Sequence, residues 1–240
     1  LRYRTNLVQI PARWMRAARQ ATLAAATAVL ALLPLMHTPT AQAQALEKQL
    51  SRMDFTVGGI AEVRKSTDGH TPVNSGVNYA ISQTGSTSTG GVATFHYTVS
   101  KLLGYEFNFK MTEVTDGYTL TPALAQTANP FTVQSRVSEY SGGYVYHGPT
   151  FGKIKSFASV GFGTTKFKPT PHGGEGLNEQ YRATEYASIG FDDPVFTKNI
   201  GIRVQVRGVF FKPPDYGQNY LTTNAHTYAL EPVFGFYFHF

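Results

Sequence analysis

The chain contains no cysteine. Disulfides, thiol chemistry, cysteine-ligated zinc and acylation of a lipoprotein cysteine are thereby excluded. Charge is also scarce, at 15% of residues. After Ala45 there is no helical period and no apolar run near the ~20 residues that a membrane-spanning helix needs. The nominal charge of +6 belongs to one end of the chain. The first 43 residues hold five basic side chains (Arg2, Arg4, Arg13, Arg16 and Arg19) and no acidic one, and the remainder carries 16 basic residues against 15 acidic. The positive balance is therefore a poor argument for nucleic acid as a partner, and none is expected.

Aromatic residues and glycine are abundant instead. With 14 Tyr, 17 Phe and 23 Gly, the composition suits an all-β protein with aromatic surface and frequent turns. Ahead of the β region, residues 21–36 form an apolar run preceded by Arg16 and Arg19. Ala41-Gln42-Ala43-Gln44-Ala45 follows it. Basic region, short apolar core and Ala-x-Ala make up a secretory signal peptide, with cleavage after Ala43 or after Ala45 fitting equally well. The run is short for a transmembrane helix and carries Pro34 near its end. Met15 opens a more ordinary leader than Leu1 does, so translation is expected to begin there. The chain divides into a helical signal peptide region (1–43), a short periplasmic segment (44–53) and a β domain (54–240).

Period-two alternation dominates that domain. Residues 54–64 set Phe55, Val57, Gly59, Ala61 and Val63 against Thr56, Gly58, Ile60, Glu62 and Arg64. Residues 91–100, 104–114, 199–210 and 225–240 alternate in the same way. Three further strands, near 132–147, 154–168 and 181–192, read less cleanly. In the second of these Ala158, Val160 and Phe162 are expected outward and Ser159, Gly161 and Gly163 inward. The faces of 132–147 stay open. Short connections (100–104, 148–153, 193–198) alternate with long ones (65–90, 115–131, 169–180, 212–224). An even strand count with short turns at one end and long loops at the other predicts an eight-stranded antiparallel transmembrane β-barrel. The first long loop, rich in Ser, Thr and Gly, could extend the wall as a hairpin.

Alternation alone does not separate a membrane barrel from a secreted sandwich or soluble barrel, because the two invert inside and outside. The residue types favour the membrane. One face carries Glu62, Arg64, Glu106, Lys110, Arg203, Arg207 and Glu231, and the other repeats large aromatics. An eight-stranded lumen is just wide enough for side chains to fill. These seven charges are therefore expected to form a network that plugs it. The chain ends with Phe234, Phe236, Phe238 and Phe240 at alternate positions. That row resembles the C-terminal signal read by the machinery that assembles bacterial outer-membrane barrels.

The segments Ser141-Gly142-Gly143-Tyr144-Val145-Tyr146, Phe157-Ala158-Ser159-Val160-Gly161-Phe162-Gly163 and Arg207-Gly208-Val209-Phe210-Phe211-Lys212-Pro213-Pro214-Asp215-Tyr216 carry a wider likeness, as does the closing strand from Glu231. They resemble the small outer-membrane β-barrels, the group of the membrane domains of outer membrane proteins A and X. Within that group the likeness is greatest to uncharacterised acidobacterial-type barrels. The resemblance implies integral residence in the outer membrane of a Gram-negative bacterium. Its implied partners are outer-membrane lipid and, during biogenesis, the secretion and barrel assembly machinery. It implies no activity.

No catalytic or ligand-binding constellation is visible. Gly173-Gly174-Glu175-Gly176 lacks the lysine and the strand–helix context of a phosphate loop and reads as a flexible loop tip. The histidines show no metal spacing, and His70 and His172 read as solvated loop residues. Asp192-Asp193-Pro194 reads as turn chemistry. No cofactor, no metal and no enzymatic activity is expected. Three functions remain open: a structural or surface-interaction barrel with long external loops, a narrow passive pore for ions or small solutes, and a membrane-embedded lipid-modifying enzyme.

Overall fold

The computed structural model describes residues 40–240, apart from 73–77, 122–129, 172 and 175. The apolar core of the leader lies outside the described residues. Residues up to 49 form a unit by themselves. Its described part is residues 40–49 of helix α1 (Thr40–Leu50), which carries both expected cleavage positions. Residues 50–240 form the second unit.

Among the described residues of that unit the alternation of side chains becomes ten strand segments. They are β1 (Met53–Arg64), β2 (Thr67–Pro72), β3 (Asn78–Thr84), β4 (Thr87–Thr98) and β5 (Leu103–Thr121). After them come β6 (Phe131–Phe151), β7 (Ile154–Pro169), β8 (Gln180–Thr197), β9 (Ile200–Phe211) and β10 (Thr227–His239). Eight of them close a ring, β1-β4-β5-β6-β7-β8-β9-β10, with every neighbour antiparallel and β10 paired back onto β1. Closure leaves no free edge, so backbone groups are satisfied within the wall, as lipid requires. At the seam Gly58 lies opposite Gly235. A Cβ at Gly58 would collide with the Phe234 carbonyl oxygen, so the two backbones approach as only glycine permits.

Three expected boundaries move. The first long loop is largely a hairpin: β2 pairs with β3, and β3 pairs with the end of β5 through Ala80–Thr121 to Thr84–Gly117. Strand β5 runs on through residues read as loop. Asp192 sits within β8, directly opposite Arg203, and not in a turn. A shift of register between Asp193 and Thr197 takes up the Asp-Pro sequence. The turns themselves shrink to Gly152-Lys153, with Gly152 at φ 65°, and Lys198-Asn199.

The cause of the longer strands is a reversal of polarity along them. The part of β5 nearest the short turns points Tyr105, Phe107, Phe109 and Met111 outward and buries Glu106, Asn108 and Lys110. Beyond Met111 the outward residues are Glu113, Thr115 and Thr119, and the buried ones are Val114, Tyr118 and Leu120. Strand β6 does the same, with Tyr140, Tyr144 and Tyr146 outward near the turns and Val133 and Val137 inward near the loops. An apolar outer belt over a polar lumen is the pattern of a membrane barrel, and the reverse is that of a water-soluble one. The faces of 132–147 could not be read from alternation because this strand crosses from one regime to the other. In β7, Val160 and Phe162 are exposed and Ser159 is buried, as expected.

Candidate functional site

Register decides which lumen charges meet. His96 lies opposite Glu106, Lys110 opposite Glu139, Arg207 opposite Glu231 and Arg203 opposite Asp192. Opposite charges at such positions attract across the ladder. In the layer nearest the turns, Arg203 donates from Nε and Nη2 to the two oxygens of Asp192, both at 2.6 Å. This two-pronged pairing fixes orientation as well as charge. The guanidinium lies 4.7 Å from the Phe157 ring centre, and its Nη1 is 3.3 Å from His96 Nε2. The same His96 nitrogen is 2.7 Å from Glu106 Oε2. Asn108 and Ser159 donate to the other Glu106 oxygen at 2.7 and 3.0 Å.

The next layer is ionic throughout. Lys110 Nζ lies 3.1 Å from both Glu62 and Glu139 and also bonds Glu231. Arg207 reaches Glu231 at 2.9 Å and Glu139 at 2.5 Å. Arg64 bonds Glu62 and lies 3.3 Å from Asp116. Glu62, Glu106, Glu139, Arg207 and Glu231 are fully shielded from solvent. The side chains fill the cross-section as the small lumen allows.

Above the charges sits an apolar stopper. Ile81, Val114, Tyr118, Leu120, Val133 and Phe167 are among its buried members. The 212–224 connection folds Tyr216 and Leu221 into it. Tyr216 has φ 51°, a strained value for a bulky residue. Its hydroxyl shares a 2.8 Å hydrogen bond with Ser135. Burial and the neighbouring Asp116 charge push the Tyr216 phenol well above its ordinary range, so it stays neutral. Next to it, Asp215 clasps the connection to β8, accepting from Gln180 at 2.7 Å and from Arg182 at 2.8 Å. Partial burial opposes the Asp215 charge. The Gln180 amide, the Gly217 backbone N–H and the Arg182 guanidinium outweigh it and hold the carboxyl below its usual range.

The structure thus places Glu62, Arg64, Glu106, Lys110, Arg203, Arg207 and Glu231 inside the barrel, in two layers. Phe234, Phe236 and Phe238 point outward from β10, and Phe240 is exposed beyond it. Sequence reasoning missed Glu139, Asp116, His96 and Asp192 as members of the network. Glu139 was hidden by the unresolved faces of its strand, and Asp116 by being taken for loop. His96 and Asp192 were legible from their places opposite Glu106 and Arg203 once register was known. His70 lies on β2 and His172 outside the described residues. Gly173 and Gly174 form a hydrogen-bonded turn onto Thr170, with Gly174 buried; Glu175 lies outside the described residues. Among the described residues no group of three His, Asp or Glu side chains could hold a metal ion.

The closed ring of eight strands, short turns at one end and a side-chain-filled lumen are the fold of the small outer-membrane β-barrels. The outer membrane protein OprG from Pseudomonas aeruginosa aligns with a TM-score of 0.51 at 14% identity, over 78% of this chain and 95% of its own. Neisserial surface protein A aligns with a TM-score of 0.47 at 12% identity, over 78% and 97%. Ail, the attachment invasion locus protein of Yersinia pestis, solved with the heparin analogue sucrose octasulfate, aligns at 0.42 and 12%, over 78% and 97%. At such identities the likeness is one of fold. No family model matches the chain, and no curated protein matches it in sequence.

Proposed function

We propose that the chain is an integral outer-membrane barrel with a structural or surface-interaction role, closed to flow. The hairpin of β2 and β3 and the polar outer ends of β5, β6 and β7 form the face it offers to the outside. The observation that carries this reading is the double closure of the lumen. A fully buried ionic layer fills it at mid-height, and an apolar stopper seals the end away from the turns. Breaking such a layer costs several kcal/mol per uncompensated charge, so an open lumen is only a sparsely populated state. Planar-bilayer recording of the purified protein tests it. The expected result is no current above that of the bare bilayer. Reproducible unitary steps would reassign the chain as a narrow pore.

The outward row Phe234, Phe236, Phe238 and Phe240 is proposed to serve biogenesis, as the signal by which the assembly machinery inserts the barrel. Its exposure on the closing strand supports that role.

A further inference from the structure

The end of the barrel opposite the apolar stopper holds a cavity of about 300 Å³, within the size range of small-molecule sites. It lies where both ends of the barrel strand set meet, between the start of β1, the β4–β5 turn, the start of β7 and the ends of β6 and β10. Two carboxylates line it, and both are already engaged. Asp192 gives its two oxygens to Arg203, and Asp54 Oδ1 meets His239 Nδ1 at 2.6 Å. Three cations line it as well: Arg52, Lys101 and Lys155. Among the described residues none of the three has a carboxylate within ion-pair distance. Elsewhere in this barrel the lumen cations are paired, some with two or three acids each. Thr98 adds a hydroxyl, 3.4 Å from His147 Nε2.

Ammonium and guanidinium groups around a small cavity, with Asp192 paired to Arg203 and Asp54 hydrogen-bonded to His239, suit an oxyanion whose several oxygens accept charge-assisted hydrogen bonds. We propose that this cavity binds a phosphate-bearing ligand, held by Arg52, Lys101 and Lys155 and reached from the side of the short turns. The site is at the far end from the loops and stands whether or not those loops meet a partner. Two sources share the chemistry: a soluble phosphate ester, and the headgroup of an anionic phospholipid in the adjoining leaflet.

The test uses protein isolated from membranes in a zwitterionic, phosphate-free detergent and titrated with inorganic phosphate. The amide resonances of Thr98, Lys101 and His147 report binding. The expected result is a saturable shift confined to this mouth. In the Lys101→Gln/Lys155→Gln protein the affinity should fall by about tenfold or more, because two charge-assisted contacts are lost. Lys168→Gln, on β7 toward the loops, should leave it unchanged. Both lysines of the double variant are exposed, so the fold should survive, and a retained mobility shift on heating verifies it. Absence of a saturable shift, or equal affinity in the double variant, overturns the proposal. A second arm places the protein in phosphatidylcholine discs with and without phosphatidylglycerol. Competition by phosphatidylglycerol identifies the lipid headgroup as the source, and unchanged phosphate affinity identifies a soluble ester.

Discussion

Arg207 shows what a single lumen residue does. It neutralises Glu139 and Glu231 together, inside a layer from which water is shut out. Arg207→Ala leaves two buried carboxylates short of a partner, with an expected loss of about 3–5 kcal/mol. Urea unfolding of the barrel in lipid vesicles measures it, and a change under about 1 kcal/mol would show that the network adds little. Asp215 makes a different kind of contact, at the rim. Its folded pKa lies below the unfolded one. The clasp it makes is therefore complete above the ordinary aspartate value and is lost as pH falls through the depressed folded value. The side-chain amide of Gln180 should accordingly titrate with a midpoint below 3.8, the ordinary value, and Asp215→Asn should abolish that titration. A midpoint at or above the ordinary value would remove the clasp from the account.

A strand in this molecule carries two environments in succession. On β9, Val204 is 48% exposed in the middle of the apolar belt. On β5, Thr115 is exposed four residues beyond Met111, where the outward face has turned polar. Val204→Arg should destabilise the barrel by about 2–4 kcal/mol, as a charge at the bilayer midplane does. Thr115→Arg should stay within about 0.5 kcal/mol, as surface changes do. Folding equilibria of the two variants in the same vesicles give the comparison. Equal costs would mean that the polarity reversal does not mark the edge of the lipid.

For the molecule as a whole, closure is the decisive property. A ring without edges resists detergent until heated, so the unboiled protein should run on a gel as a compact species that shifts on boiling. Phe240→Ala should lower the heat-modifiable fraction recovered from cells, because the row of aromatics offered to the assembly machinery loses its last member. Normal recovery would leave the exposed terminus without a role in biogenesis. A soluble protein with no shift at all would place the aromatic belt against another protein and not against lipid.

The eight barrel strands, the faces of most of them and seven lumen charges were legible in the sequence because a strand writes its two faces at a period of two, and the segments in the belt keep one polarity throughout. Glu62, Arg64, Glu106, Lys110, Arg203, Arg207 and Glu231 stood on the polar face of clean alternations. What alternation does not record is register. Only the closed ring sets Lys110 against Glu139, Glu231 against Arg207 and Asp192 against Arg203. Nor does it record where the solvent outside changes. Beyond the belt Asp116, Tyr118 and Leu120 turn inward on a strand whose outer residues have become polar, and the same period then reads as loop. The stopper around Tyr216 and the cationic cavity by Lys101 and Lys155 gather residues from several strands and turns. Their positions follow from the curvature of the closed wall, which local sequence does not encode.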